Sequence, residues 1–194
     1  MPELVLALLV FYTSHSLLAA RTVKRWAAER LRLVRWYRLM YSMISLALLA
    51  WAVMLLYRLP HDPLIHIPTW CSMFAWPLLF AGSVISAGSV MRFGTLGFFG
   101  LRQEGEMGLV RSGIHGMIRH PIYTGIVLSM LALLVLVPSI PILNTVAITF
   151  VYLPLGIHLE EQKLILDHGE GYLRYRREVP ALFPRMGLSR RDQR

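Results

Sequence analysis

The sequence predicts an all-α polytopic membrane protein with five transmembrane helices, the last two forming a short hairpin, and a cytoplasmic helical tail. Three observations predict it. First, 56% of the 194 residues are hydrophobic and 16% are charged, and a soluble domain of this size could not hide that much apolar surface. Second, four runs carry no Lys, Arg, Asp or Glu: 4–20, 39–57, 63–91 and 120–159, together 105 residues. Third, the basic residues sort by position. Of the 20, Arg58 alone lies between the second and third runs, and the other 19 fall in alternate connections. Cytoplasmic loops carry the Lys and Arg excess, so these connections are read as cytoplasmic and the N-terminus as outside. The net charge of +9 is therefore a topology signal, and no nucleic-acid partner is expected.

The first span is placed at about 3–20. It is longer than a signal-peptide core, follows an acid and precedes Arg21 and Lys24, so it reads as a retained anchor. The connector 21–38 interleaves seven basic residues with Trp26, Trp36 and Tyr37, which suits a helix at head-group level. A second span over 39–57 leads to an outer loop whose Pro60 and Pro63 bar helix continuation. The third, about 68–91, carries Gly82, Ser83, Ser86, Ala87, Gly88 and Ser89, a small-residue face that lets another helix approach. Substrate access is expected between that face and the fourth span, with Gly88 on the path.

The 40-residue uncharged run would reach about 60 Å as one helix, twice the hydrocarbon thickness. Pro138-Ser139-Ile140-Pro141 divides it into spans over 122–137 and 142–159, both short enough to thin the bilayer. Two regions follow: a three-span part, 1–91, and a core, 92–194, made of the loop 92–120, the hairpin 121–159 and the tail. Cys71 is the only cysteine, so no intramolecular disulfide is possible. The seven glycines between Arg92 and Pro121 do not form a dinucleotide fingerprint, because no strand pattern precedes them.

The fourth span opens with Arg119-His120-Pro121-Ile122-Tyr123-Thr124-Gly125. Pro121 fits a first helical turn, and unpaired N–H groups at that positive end can hold a carboxylate or a nucleotide oxygen. The plain alternative is a capped helix with a snorkelling Arg119 and an interfacial Tyr123. The fifth span ends at Glu160-Glu161, about 100° apart on a helix, so only one can face a given ligand. An acid at this depth needs a cation, either Arg119 or a positively charged cofactor. Tyr172 and Tyr175 fall on a short helix between Gly169 and Pro180 and read as interfacial aromatics among Arg174, Arg176 and Arg177. His15, beside Tyr12 and Ser16, is either functional or a hydrogen-bonded bundle histidine. No metal site is expected, since no two candidate ligands stand at a ligand spacing.

Taken together, Leu109-Val110-x-x-Gly113, Arg119-His120-Pro121-x-Tyr123-x-Gly125, Glu160-Glu161, Gly169-x-x-Tyr172-x-x-Tyr175 and Val179-Pro180 resemble the integral-membrane isoprenylcysteine carboxyl methyltransferase and phospholipid methyltransferase family. A closer likeness, carried by His15-Ser16-Leu17-Leu18-Ala19, Val23-Lys24-Arg25-Trp26 and Phe99-Gly100-Leu101-Arg102-Gln103, is to bacterial methanethiol S-methyltransferases and nitrite-reduction-associated membrane proteins. The resemblance implies an enzyme of the bacterial inner membrane that uses S-adenosyl-L-methionine. By matching positions, the implied cofactor contacts are Gln103, Met107, Gly108, Leu109, Val110, His115, His120, Pro121, Tyr123, Glu160, Tyr172 and Tyr175. His115 stands where relatives carry a tyrosine. For the chemistry the residues themselves suggest Arg119 to favour a thiolate electrostatically and His120 or His115 to accept its proton, with Glu161 the third candidate catalytic residue.

Prenylcysteine-type enzymes carry an arginine about one turn before the acidic pair, and here that position is Gly156, which suits an apolar acceptor without a carboxylate. The expected acceptor is a small or lipophilic thiol; a prenylcysteine carboxylate or a phospholipid amine is the alternative within the family. Sterol reductases carry a similar Arg-His-Pro-x-Tyr element with a reduced nicotinamide cofactor, and a non-enzymatic accessory protein of nitrogen-oxide metabolism is the remaining reading. Membrane lipid is an expected partner, and no obligate protein partner is evident.

Overall fold

A computed structural model describes residues 1–31, 36–92 and 108–184. The elements are helices α1 (Pro2–Ala19), α2 (Arg21–Leu31), α3 (Tyr37–Arg58) and α4 (Thr69–Arg92), a 3₁₀ turn over Gly113–Gly116, then α5 (Pro121–Leu136), α6 (Ile140–His168) and α7 (Glu170–Glu178). No strand occurs among the described residues. Helices α1, α3, α4 and α6 are long and apolar enough to cross a membrane, and α5 is a shorter apolar helix. The chain is an integral membrane protein of the predicted all-α class.

The charge-free runs locate these helices because each ends where charge or proline begins. Helix α3 stops at Arg58, ahead of Pro60, and α5 stops before Pro138. At 16 residues α5 is as short as expected, about 24 Å. Helix α6 corrects the prediction of a short final span. It runs 29 residues without a break to Gly169, whose φ of +53° ends it. Glu160 to His168 contains polar and charged residues, but none that breaks a helix, so the helix continues beyond its uncharged part. Hydrogen bonds from Leu64 N–H to the Pro138 carbonyl (2.7 Å) and between His61 Nδ1 and Ser139 Oγ (3.0 Å) place the α3–α4 and α5–α6 connections at one end of the bundle.

Helix α4 packs most intimately on α5. A Cβ on Gly82 would lie 2.7 Å from the Gly125 carbonyl oxygen and 2.6 Å from Ser129 Oγ, and one on Gly125 would collide with Gly82 and Ser86. The small-residue face thus closes against α5, and no passage remains at Gly82 and Gly125. Gly88, placed on the access path by the sequence, has no atom within 4 Å of an added Cβ, so the helix contact is made one to two turns away from it.

Helix α1 packs on α3 through Leu4, Ala7, Leu8 and Ala52, and α6 joins the two halves by contacting both α1 and α5. Tyr12 donates to or accepts from Thr149 Oγ1 (2.7 Å) and its ring stacks on Tyr152 at 4.2 Å. In an apolar solvent such hydrogen bonds and close packing hold helices together where hydrophobic burial cannot.

Candidate functional site

Pro121 occupies the first turn of α5, as its missing N–H allows. The two N–H groups just before it are taken by the tail: Arg119 N–H donates to the Pro180 carbonyl (2.9 Å) and His120 N–H to that of Ala181 (3.0 Å). Thr124 Oγ1 adds a bond to the Leu182 carbonyl at 2.6 Å. Backbone from the tail, instead of a ligand, therefore satisfies part of the helix end that the sequence offered as an anion site. This strap fixes Arg119 and His120 beside the final turns of α6.

Glu161 is buried and holds three cationic or potentially cationic groups. It pairs with Arg119, and it lies 3.2 Å from His120 Nε2 and 3.4 Å from Arg176 Nε. Tyr172 Oη stands 3.4 Å from Arg119. Arg119 meets the acid by the ion pair that a buried carboxylate requires. Arg176, read from sequence as one of several interfacial arginines, completes it.

Glu160, on the adjacent helical position, keeps 45% of its side chain exposed, and its Oε2 lies 3.6 Å from His120 Nδ1. That nitrogen is buried without a hydrogen-bond partner. Tyr123 sets its ring edge-on to His120 at 5.8 Å, within electrostatic reach of Glu160. The structure thus brings His120, Tyr123 and Glu160 together, and Glu161 belongs to the neighbouring ion-pair cluster.

Tyr172 and Tyr175 correct the reading of interfacial aromatics, because both are buried, at 0% and 3% exposure. They pack with Val179, Leu109, Leu164 and Ile165. The Tyr175 hydroxyl donates to the His115 carbonyl (2.5 Å), and Arg111 lies over its ring at 5.6 Å. Burial pushes the Tyr172 phenol up to about 12, with nearby Glu161 adding to the shift. Burial likewise raises Tyr175. Both are neutral hydrogen-bonding groups at physiological pH. His115 is buried on the 3₁₀ turn; Gly113, with φ of +62°, supplies the left-handed conformation that starts it. Gly108, Leu109 and Val110 run as irregular chain into this turn. Gln103 and Met107 lie outside the described residues.

A polar cluster inside the bundle was only half legible from the sequence. His15 Nδ1 is 3.3 Å from Ser45 Oγ and 3.3 Å from Tyr41 Oη, and Ser16 Oγ is 2.7 Å from Tyr152 Oη. His15 is a hydrogen-bonded bundle histidine, within electrostatic reach of Glu160. Its partners Tyr41 and Ser45 lie one turn apart in an apolar run, and that spacing was the available signal. Gly156 is buried between phenols, with an added Cβ 3.2 Å from Tyr123 Oη and 3.1 Å from Tyr152 Cε1. Among the described residues no three His, Cys, Asp or Glu side chains gather to hold a metal ion.

Fold and site together define an integral-membrane α-helical protein with a polar cluster of imidazole, carboxylates and phenols at one end of its last two apolar helices. The chain belongs to the NnrU protein family, which matches residues 3–159. It is also similar to a methanethiol S-methyltransferase of Crocosphaera subtropica (strain ATCC 51142 / BH68), with 38% identity over 72 residues, 36% of this chain and 27% of that protein. The chain thus aligns with little more than a quarter of that relative's length. No solved structure matches the chain.

Proposed function

We propose that the protein is a membrane methyltransferase that moves a methyl group from S-adenosyl-L-methionine to a small or lipophilic thiol at the Glu160, His120 and Tyr123 site. The observation that carries the reading is the division of labour between the two acids: Glu161 is consumed by Arg119 and Arg176, and Glu160 is left partly open beside a His120 nitrogen without a hydrogen-bond partner, with the Tyr123 ring edge-on to that imidazole. A carboxylate near an aromatic ring suits a sulfonium cation and the amino group of the same cofactor. The residues present therefore fit that group. Those that would hold it are Glu160, His120, Tyr123 and the backbone of Gly108, Leu109 and Val110, with Gln103 and Met107 from the adjoining segment. The cofactor, when bound, supplies an electrophilic methyl on a positively charged sulfur.

The chain's own residues bind and position. With its Nε2–H donated to Glu161, His120 turns Nδ1 toward the site, as a lone pair that can accept a thiol proton. Arg119 favours a nearby thiolate electrostatically. The ion pair with Glu161 fixes its direction. Transfer needs the sulfur in line with the methyl at about 3–3.5 Å, so most of the work is orientation. The tail strap over Arg119 and His120 keeps bulk water from that end of α5.

Gly156 bears on the acceptor. Tyr123 and Tyr152 crowd the position at which a carboxylate-binding arginine would stand, which favours a thiol over a prenylcysteine carboxylate. We further place the protein in a bacterial inner membrane with α6 and α7 ending in the cytoplasm, on the strength of its basic-residue asymmetry, and assign residues 92–194 the catalytic role.

Purified protein is incubated with labelled S-adenosyl-L-methionine and panels of thiols, prenylcysteines and phosphatidylethanolamine. Label transfer to a thiol supports the proposal. Transfer to one of the other acceptors moves it within the methyltransferases. Failure to bind the cofactor, read by calorimetry beside NADPH, overturns it in favour of a reductase relative or an accessory protein.

A further inference from the structure

Helices α1, α2, α3 and α6 line a cleft of about 150 Å³ with Leu18, Ala19, Lys24, Tyr37, Arg38, Tyr41 and Lys163. Among the described residues that line it, three are cationic and none is acidic. Two contacts frame the cleft. Within its lining the Tyr37 hydroxyl donates to the Leu18 carbonyl (2.7 Å), tying α3 to the end of α1, and outside it Arg21 pairs with Asp167, tying α2 to α6. That pair also occupies the nearby acid at the end of α6. Lys24, Arg38 and Lys163 make further contacts of their own, so the argument rests on their convergence and not on any one of them being unpaired.

The floor differs from the rim. Leu18 and Ala19 close the last turn of a helix long and apolar enough to cross a membrane, beside the exposed Leu17, and the Tyr37 and Tyr41 rings add apolar walls with polar tips. Cations above an apolar, lipid-bordered floor match an anionic group attached to a greasy one. An arginine fork with two ammonium groups suits a tetrahedral oxyanion, whose several oxygens can be shared among separate donors.

We propose that this cleft, whose lining includes neither Glu160 nor His120, binds a phosphate group, carried by the head group of an anionic phospholipid or by free phosphate. It does not depend on the methyltransferase reading, since its ligand is a resident anion and not the methyl acceptor. Occupancy bridges α1, α2, α3 and α6, so it stabilises the bundle by mass action.

The full chain in neutral detergent is titrated with phosphatidylglycerol, phosphatidylcholine and inorganic phosphate, reading retained lipid by native mass spectrometry and melting temperature by intrinsic fluorescence. The triple variant Lys24→Gln, Arg38→Gln, Lys163→Gln is compared with a variant that loses three exposed cations elsewhere, Arg25→Gln, Arg30→Gln, Arg177→Gln. One phosphatidylglycerol should be retained and should raise the melting temperature, with affinity lost about tenfold or more in the cleft variant and kept in the other. If phosphate alone reproduces the shift and displaces the lipid, the source is soluble phosphate. Equal losses in the two triple variants, equal retention of phosphatidylcholine, or no response to either anion overturns the proposal. Should the cleft variant not fold, the three single substitutions take its place, each expected to weaken binding severalfold.

Discussion

Glu160 and Glu161 are neighbours on α6 and face different chemistry. Glu161 is sealed among Arg119, His120 and Arg176, and Glu160, 45% exposed, lies 3.6 Å from the other nitrogen of the same His120. One imidazole therefore touches a structural ion pair with Nε2 and the open side of the site with Nδ1. The 100° step between adjacent helical residues is what separates the two acids.

That arrangement predicts opposite consequences for two isosteric changes. Glu161→Gln leaves Arg119 and Arg176 without a counter-charge in a mostly buried cluster and should cost about 3–5 kcal/mol of stability, read as a large fall in melting temperature. Glu160→Gln should leave melting within about 0.5 kcal/mol of the parent and weaken cofactor binding by calorimetry. A stable Glu161→Gln protein, or a Glu160→Gln protein that binds the cofactor undiminished, would contradict the assignment of roles.

The spans were legible because their signal is one-dimensional: an uncharged run long enough to cross a bilayer needs no knowledge of its neighbours. The meeting of Arg119 with an acid was legible for a related reason, since a buried carboxylate demands a cation. What the sequence hid depends on neighbours. Glu160 to His168 looked like the start of a tail, although nothing in it breaks a helix. Tyr172 and Tyr175, with arginines around them, read as interfacial until packing against Leu109, Leu164 and Ile165 buried them. The choice of Gly82 over Gly88 as the contact with α5 depends on helix rotation, which a row of small residues does not specify.

Helix rotation gives the next prediction. Gly125 sits so close to Gly82 and Ser86 that a Cβ collides with backbone as well as side chain. Gly125→Ala should push α4 from α5 and destabilise the protein by about 1–3 kcal/mol. Gly88→Ala, whose Cβ meets nothing within 4 Å, should be neutral in the same thermal melt. Equal melting of the two variants would show that α4 and α5 do not pack through this face.

Tyr172 predicts alkaline behaviour. Its folded value is raised to about 12, above the ordinary 10, chiefly by burial and then by Glu161. Below pH 10 the phenol is protonated both folded and unfolded, so its contribution is intact. As pH rises from 10 toward 12 the unfolded chain ionises first, and stability falls. Melting temperature should therefore drop more steeply above pH 10 in the parent than in Tyr172→Phe, with the two slopes parallel below it. Parallel slopes throughout would mean that Tyr172 is solvated.

Gly156 connects packing to the proposed chemistry. An added Cβ would stand 3.2 Å from Tyr123 Oη and 3.1 Å from Tyr152 Cε1, so alanine must displace one or both phenols by a few tenths of an ångström. Because Tyr123 packs edge-on to His120 and lies within electrostatic reach of Glu160, the displacement acts on the open side of the site and not on the Arg119 and Glu161 pair. Gly156→Ala should weaken cofactor binding by about 1.5 kcal/mol, roughly tenfold, while the melting temperature changes little. Gly156→Arg should gain no carboxylate methylation, since the space a guanidinium would enter already holds two rings. Unaltered cofactor affinity in Gly156→Ala would detach Tyr123 from the site, and methylation of a prenylcysteine by Gly156→Arg would show that the phenols yield to a larger side chain.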